Sequence, residues 1–254
     1  MNLRPLAAAA ITGLIIWGSC GLAAAAEIKV LATNAVKSVL EQLVPEFETS
    51  TGHRVVMRFA PSADLKAQIE KGETFDLTIL TAAAIDDLIK QGKLAAATRA
   101  HFATAGAGVA IKRGAPKPDI STIDSFKRTL LDAKSIAYVG TGATGANMRK
   151  IFERLGIAGE MKVKTKLLSG ISAPAAIAAG EAELGFTQIS EILSVAGAEF
   201  AGPLPSELQI YTVHPAAVGA SAKEPEAAKS LLDFLRAPAA AAVIRAKGME
   251  PRAP

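Results

Sequence analysis

From Ile28 onward, short apolar runs alternate with amphipathic stretches. Ile28-Lys-Val-Leu-Ala32 alternates and then turns fully apolar, which predicts a strand. Thr33 and Asn34 are good N-cap residues. After them Val36, Val39, Leu40, Leu43, Val44 and Phe47 recur at helical spacing until Gly52. His53 to Phe59 predicts the next strand, and Pro61 stops the extended run. Ser62 stands at the expected N-cap of a short helix with Leu65, Ala67 and Ile69, closed by Gly72. Phe75 to Leu80 predicts another buried strand, and Ile85, Leu88 and Ile89 a helix that stops at Gly92.

The alternation continues. Ala105 to Ile111 is a Gly-rich apolar strand, and the polar segment with Pro116 and Pro118 predicts a crossing between lobes. Ile123, Phe126, Leu130 and Leu131 form a helix, and Ser135 to Val139 a strand. That strand runs through Gly140-Thr-Gly-Ala-Thr-Gly145 into a helix with Met148, Ile151, Phe152 and Leu155. Lys162, Lys164 and Lys166 alternate with Val163, Thr165 and Leu167, which predicts a strand with one solvated lysine face. Ser172 and Pro174 open a helix, Leu184 to Thr187 is a short strand, and Ser190 is a cap. Gln209 to Val213 and Ala216 to Ala220 are extended, and Pro225 and Pro238 open the last two helices. Strands and helices alternate almost throughout, so the fold class is α/β with parallel or mixed sheets.

The first 26 residues stand apart. Arg4 precedes an uncharged run from Leu6 to Trp17, and Ala24, Ala25 and Ala26 offer a small-residue cleavage site before Glu27. Residues 1–26 therefore read as a cleavable signal peptide, and the expected compartment is the periplasm. Cleavage removes Cys20, the only cysteine, and Trp17, the only tryptophan. A mature chain without cysteine has no disulfide, cysteine nucleophile or cysteine metal ligand. The formal charge of the whole chain is +4, and losing Arg4 lowers it by one. That mild excess is compatible with anionic partners and with ordinary solvated faces.

Candidate chemistry gathers at the handovers from strand to helix. Gly140-x-Gly142-x-x-Gly145 has the form of a dinucleotide fingerprint, but the next strand ends at Leu168-Ser169-Gly170 without an acid for a ribose. What remains is a close backbone approach and helix-start N–H groups for an anion, with Thr141 and Thr144 as hydroxyl donors. Thr33, Asn34, Ser62, Thr144 and Ser172 share this position, and in open α/β sheets ligands bind outside the carboxyl ends of the strands. His53, His101 and His214 lack metal-ligand neighbours, no serine lies in a nucleophile elbow, and no acid pair stands out as a hydrolytic dyad. The residues thus point to binding rather than catalysis, with no cofactor, no cation site and no nucleic-acid partner.

Several of these stretches together resemble one family: Ile28-Lys-Val-Leu-Ala, Glu46-Phe-Glu-Thr-Ser-Thr-Gly-His-Arg-Val-Val, Phe59-Ala-Pro-Ser-Ala-Asp-Leu-Lys-Ala-Gln-Ile-Glu-Lys-Gly, Phe75-Asp-Leu-Thr-Ile, Leu184-Gly-Phe, and Leu231-Leu-Asp-Phe-Leu-Arg-Ala-Pro-Ala-Ala. They are similar to the periplasmic molybdate-binding proteins of ABC importers, in the type II periplasmic binding protein class. The resemblance implies two lobes, each a mixed sheet flanked by helices, with an oxyanion held in the cleft by neutral donors. It implies residues 27–107 plus 211–254 as one lobe and 108–210 as the other. It carries the family's serine after the second strand onto Ser62 and its backbone contacts onto the neighbourhoods of Thr144 and of Gly170 to Ser172. The family's other serine falls near Ala35, where Thr33 or Asn34 could substitute, and its tyrosine falls on Gln188.

The resulting expectation is a monomeric receptor that binds a small, molybdate- or tungstate-like oxyanion and delivers it to an ABC permease in the inner membrane. The two replaced donors leave open another small anion, an organic solute or a sensor role. A secreted enzyme on the same fold is the remaining alternative. Asp64, in the first turn after Ser62, competes with an anion for that helix end.

Overall fold

The computed structural model describes residues 25–251. The expected signal peptide, with Cys20 and Trp17, lies almost wholly outside the described residues. β1 (Glu27–Thr33) passes through a 3₁₀ turn (Asn34–Val36) into α1 (Lys37–Thr51), followed by β2 (Arg54–Ala60), α2 (Ser62–Glu70), β3 (Leu77–Ile79) and α3 (Ala82–Lys90). β4 (Ala100–Lys112) leads to α4 (Ile123–Asp132), β5 (Ile136–Val139), α5 (Ala143–Arg154), α6 (Ala158–Lys164), β6 (Thr165–Leu168), α7 (Ala173–Ala178), β7 (Leu184–Gln188) and α8 (Ile189–Leu193). The chain returns through β8 (Ala198–Pro203) and β9 (Tyr211–Val218) to α9 (Pro225–Arg236), α10 (Ala240–Ala246) and β10 (Met249–Pro251). The mixed α/β class expected from the alternation is what folds.

The sheet order is β2-β1-β3-β9-β4-β7-β5-β6, with β8 and β10 also paired to β4. β2, β1 and β3 run parallel, as do β6, β5 and β7. β4 is common to both groups. Its first part, Ala100 to Gly106, pairs antiparallel with β9, and Ala107 to Ala110 pairs antiparallel with β7. β4 therefore carries the chain between the two halves, and the segment with Pro116 and Pro118 is an irregular stretch after it. The two largest apolar clusters among the described residues follow this division. One gathers Val39, Phe47, Phe102 and Leu231, and the other gathers Phe126, Ile136, Phe152 and Phe186.

Two further expectations change. The lysine-faced strand is a helix up to Lys164, and only Thr165 to Leu168 is extended. The alternation straddles a helix end, so Lys162 and Lys164 lie in the last turn of α6, where cations offset the carbonyl end of the helix. Ser190 does not cap α8; Gln188 occupies the cap position, and the Ser190 hydroxyl is buried inside the helix.

Two polar pins fix the frame. The buried Asp76 carboxylate accepts from the Lys29 N–H at 2.8 Å and from the Lys223 and Glu224 N–H groups at 2.8 and 3.1 Å, tying β1 to the start of α9. Between the halves, the buried His214 ring on β9 hydrogen-bonds Gln188 at the end of β7, Nε2 to Oε1 at 2.7 Å.

Two measurements test this frame. Gly145 lies in α5 against β5, where an added Cβ would overlap the Val139 carbonyl oxygen and come within 2.9 Å of Tyr138 Cδ2. Gly145→Ala is expected to cost at least about 1–3 kcal/mol, read as a lower denaturant midpoint by circular dichroism. Burial, reinforced by His101, depresses His214 to about 4. An unfolded histidine titrates near about 6.5, so below that pH the unfolded chain takes up a proton that the folded chain refuses. This group leaves stability flat above about pH 6.5 and lowers it as the pH falls towards about 4, by on the order of 3 kcal/mol in full. Denaturant titrations across that window are expected to show a shallower slope in His214→Gln.

Candidate functional site

The parallel strands of both halves end at one edge, and each hands over to a turn or helix there. β1 ends at Thr33, β2 at Ala60, β5 at Val139 and β7 at Gln188. The space between these ends is a cavity of about 640 Å³, within the range of about 300–1,000 Å³ usual for small-molecule sites. Thr33, Asn34, Ser62, Thr144, Ser172 and Gln188 all line it. The structure thus brings every expected site residue to a single cleft.

Their local roles differ in part from those expected. Thr33 stands at the N-cap of the 3₁₀ turn but makes no side-chain cap bond. Ser62 is not a cap: Pro61 holds that position, and Ser62 is the first residue of α2. Its Oγ instead accepts the Thr81 N–H at 3.2 Å, across the start of α3. A hydroxyl that accepts in this way keeps its proton for another partner. Gly142 is the N-cap of α5, and Thr144 is a buried residue of the first turn. Ser172 caps α7 as expected, accepting the Ala175 N–H at 3.4 Å. Gln188 lines the cleft while its side-chain oxygen is held by His214.

Long helices therefore begin at this cavity from both halves: α2 and α3 on one side, α5 on the other. The first N–H groups of a helix have no intrahelical acceptor, and the helix dipole places partial positive charge there. The pattern suits a negatively charged ligand held by neutral donors. The apolar part of the wall includes Phe59, Val139, Ile171 and Phe186.

Charged residues on the wall were largely missed from sequence. Lys66, Asp64, Asp87 and Glu191 line the same space. Lys66 is engaged by Glu70 at 2.7 Å and by Asp87 at 3.9 Å, so its charge is already balanced. Glu191 is half-buried, and the Thr187 hydroxyl donates to its Oε2. Burial pushes its carboxyl above the usual range, against the lowering effect of the Thr187 hydroxyl and the Gln188 backbone. The readable signal was an i, i+4 pair, Thr187 and Glu191, straddling a strand-to-helix junction. Among the described residues no group of three or more His, Cys, Asp or Glu side chains is placed to hold a metal ion.

Comparison with known proteins agrees with this architecture. A protein from Pseudomonas named aconitate isomerase is 30% identical over 247 residues, covering 94% of each chain. The molybdate-binding protein ModA of Azotobacter vinelandii is 28% identical over 237 residues, covering 89% of this chain and 90% of its own. The solved periplasmic molybdate-binding protein of Azotobacter vinelandii superposes with a TM-score of 0.75 at 22% identity, over 89% of this chain and all of that one. The sulfate-binding protein SubI of Mycobacterium tuberculosis does so with a TM-score of 0.73 at 17% identity, over 90% of this chain and 88% of that one. The resemblance to molybdate-binding proteins seen in the sequence is thereby upheld. The model of the family "Bacterial extracellular solute-binding protein" matches residues 28–250. Sheet order, interlobe cleft and this match across nearly all of the described residues lead to one conclusion: the chain belongs to the bacterial extracellular solute-binding protein family.

Proposed function

We propose that the protein is a monomeric periplasmic receptor that closes its two lobes on a small anion and presents it to an ABC permease. The lobes are residues 27–107 with 211–254, and 108–210. The observation that carries this reading is the convergence of the α2, α3 and α5 starts on one cleft. Ser62, Thr144 and the backbone N–H groups supply neutral donors, and closure is a hinge motion in which ligand selects the closed state. Among the described residues no helix is long and apolar enough to cross a membrane. Ala35 and Gln188, in place of the family's serine and tyrosine, together with the acids on the wall, favour a ligand other than bare molybdate. Small polycarboxylates fit that chemistry, because several anionic groups can each meet a different helix start.

The cleft also supports a second reading, turnover of an unsaturated polycarboxylate such as aconitate. Two observations favour it: the name of the Pseudomonas relative, and a wall carboxyl, Glu191, without an ion-pair partner among the described residues.

Calorimetry of residues 27–254 with molybdate, tungstate, sulfate, phosphate, citrate and cis- and trans-aconitate tests the receptor. At least one is expected to bind, and silence from all of them removes the anion reading. For the probe that binds, Ser62→Ala is expected to weaken affinity by about ten- to a hundredfold, the loss of one hydroxyl donor to a charged group. Asp64→Asn is expected to tighten binding by up to about fivefold, because it removes a negative charge from the first turn of α2. Unchanged or weaker binding in Asp64→Asn moves the anion away from that helix end.

A further inference from the structure

The acids around the cleft are not equivalent. Asp64 is exposed on α2, and Asp87 faces Lys66. Glu191 is the acid that the β5–α8 half contributes to the wall of a cavity that the α2, α3 and α5 starts also line. It is the third residue of α8, and its carboxyl lies by the Gln188 N–H at the helix cap and takes the Thr187 hydroxyl. These contacts fix the carboxyl on a rigid junction and supply no cation.

A fixed carboxyl without a countercharge in an anion site opposes simple anion binding. A solute receptor gains nothing from it, because an ionised carboxylate repels the ligand. The arrangement suits proton transfer instead: a base on the wall, and positive helix ends lining the same cavity to hold the charge that forms. Burial raises the proton affinity of Glu191, and efficient acid–base groups work with such raised values.

We propose that Glu191 is the catalytic base of this cleft and moves a proton along a three-carbon unit of a bound unsaturated polycarboxylate, shifting its double bond. This rests on the polycarboxylate reading above. The ionised Glu191 removes a proton from the methylene carbon that lies between a carboxylate and the alkene. The C–H bond breaks and an O–H bond forms on Glu191. The electron pair spreads over the three carbons and onto the carboxylate oxygens, which face the N–H groups of the helix starts. The acid proton on Glu191 exchanges with solvent, Glu191 then delivers a proton to the other terminal carbon, the alkene takes its new position, and the carboxylate is regenerated. No oxidant, reductant or second substrate is consumed, and the geometry about the double bond is free to change between the two steps.

Proton NMR of residues 27–254 with trans-aconitate, and separately cis-aconitate, in deuterated buffer tests this. Interconversion of the two isomers is expected, with solvent deuterium entering the methylene group. Glu191→Gln keeps the amide oxygen and a similar shape at the third helix position, where Gln also serves a capping box. It is expected to slow isomerisation at least about a hundredfold, while the calorimetric affinity for the same isomer stays within a few-fold. The wild-type rate is expected to rise with pH through one ionisation that Glu191→Asp shifts and a merely structural carboxyl does not. Binding of aconitate without isomerisation or exchange overturns the proposal and leaves the receptor standing, as does full turnover in Glu191→Gln. Absence of binding by every anionic probe removes the receptor reading and this proposal together.

Discussion

The architecture depends on one strand changing partners. β4 gives its first half to β9 and its second half to β7, and the exchange falls between Gly106 and Ala107. A single extended chain thereby fixes both sheets and leaves their parallel strands ending at a shared edge. Everything chemical sits at that edge, because a parallel strand can continue only by turning into a connection there. The buried Gln188–His214 contact lies where β7 and β9 approach through β4. The orientation of a cleft side chain is thus tied to the same strand exchange.

The proposed anion recognition needs little cationic side-chain charge. Lys66 is paired, and the remaining charges on the wall are acidic. Recognition falls to backbone N–H groups and hydroxyls, whose geometry is set by helix starts rather than by flexible side chains. Such donors lose little entropy when a ligand binds, and any site that excludes water strengthens them. An ionisable group in that setting acquires unusual weight, and Glu191 is the wall acid that combines burial with no ion-pair partner among the described residues.

Much of this was legible in the sequence, and the reasons are local. The helical spacing from Val36 to Phe47 and the glycine at position 52 specify α1 within a residue or two. The junction residues were visible because small polar residues after apolar runs have few other uses. β8 escaped because Ala198–Pro203 has no period-two pattern and pairs through a register shift at Val109 and Ala110. The lysine alternation misled because it crosses from helix into strand, and periodicity has no meaning across such a boundary. Ser62 was misplaced by one position, since Pro61 occupies the cap and the hydroxyl serves a neighbouring helix start instead. The charged wall was hidden because Lys66, Asp87 and Glu191 approach one space from separate elements, and only tertiary structure supplies that proximity.

The Asp76 pin carries a consequence for the order of assembly. It joins β1 to the start of α9, and β3 likewise waits for β9, whose residues lie far along the chain. The other half draws its core from Ala107 to Leu208 without interruption. Closing short loops costs less entropy than closing long ones. The inner half is thus built from the shorter closures, while β3 takes its second neighbour from β9, near the end of the chain. Whenever β9 is not paired with it, that side of β3 is an open sheet edge, the kind of surface that mispairs with another copy.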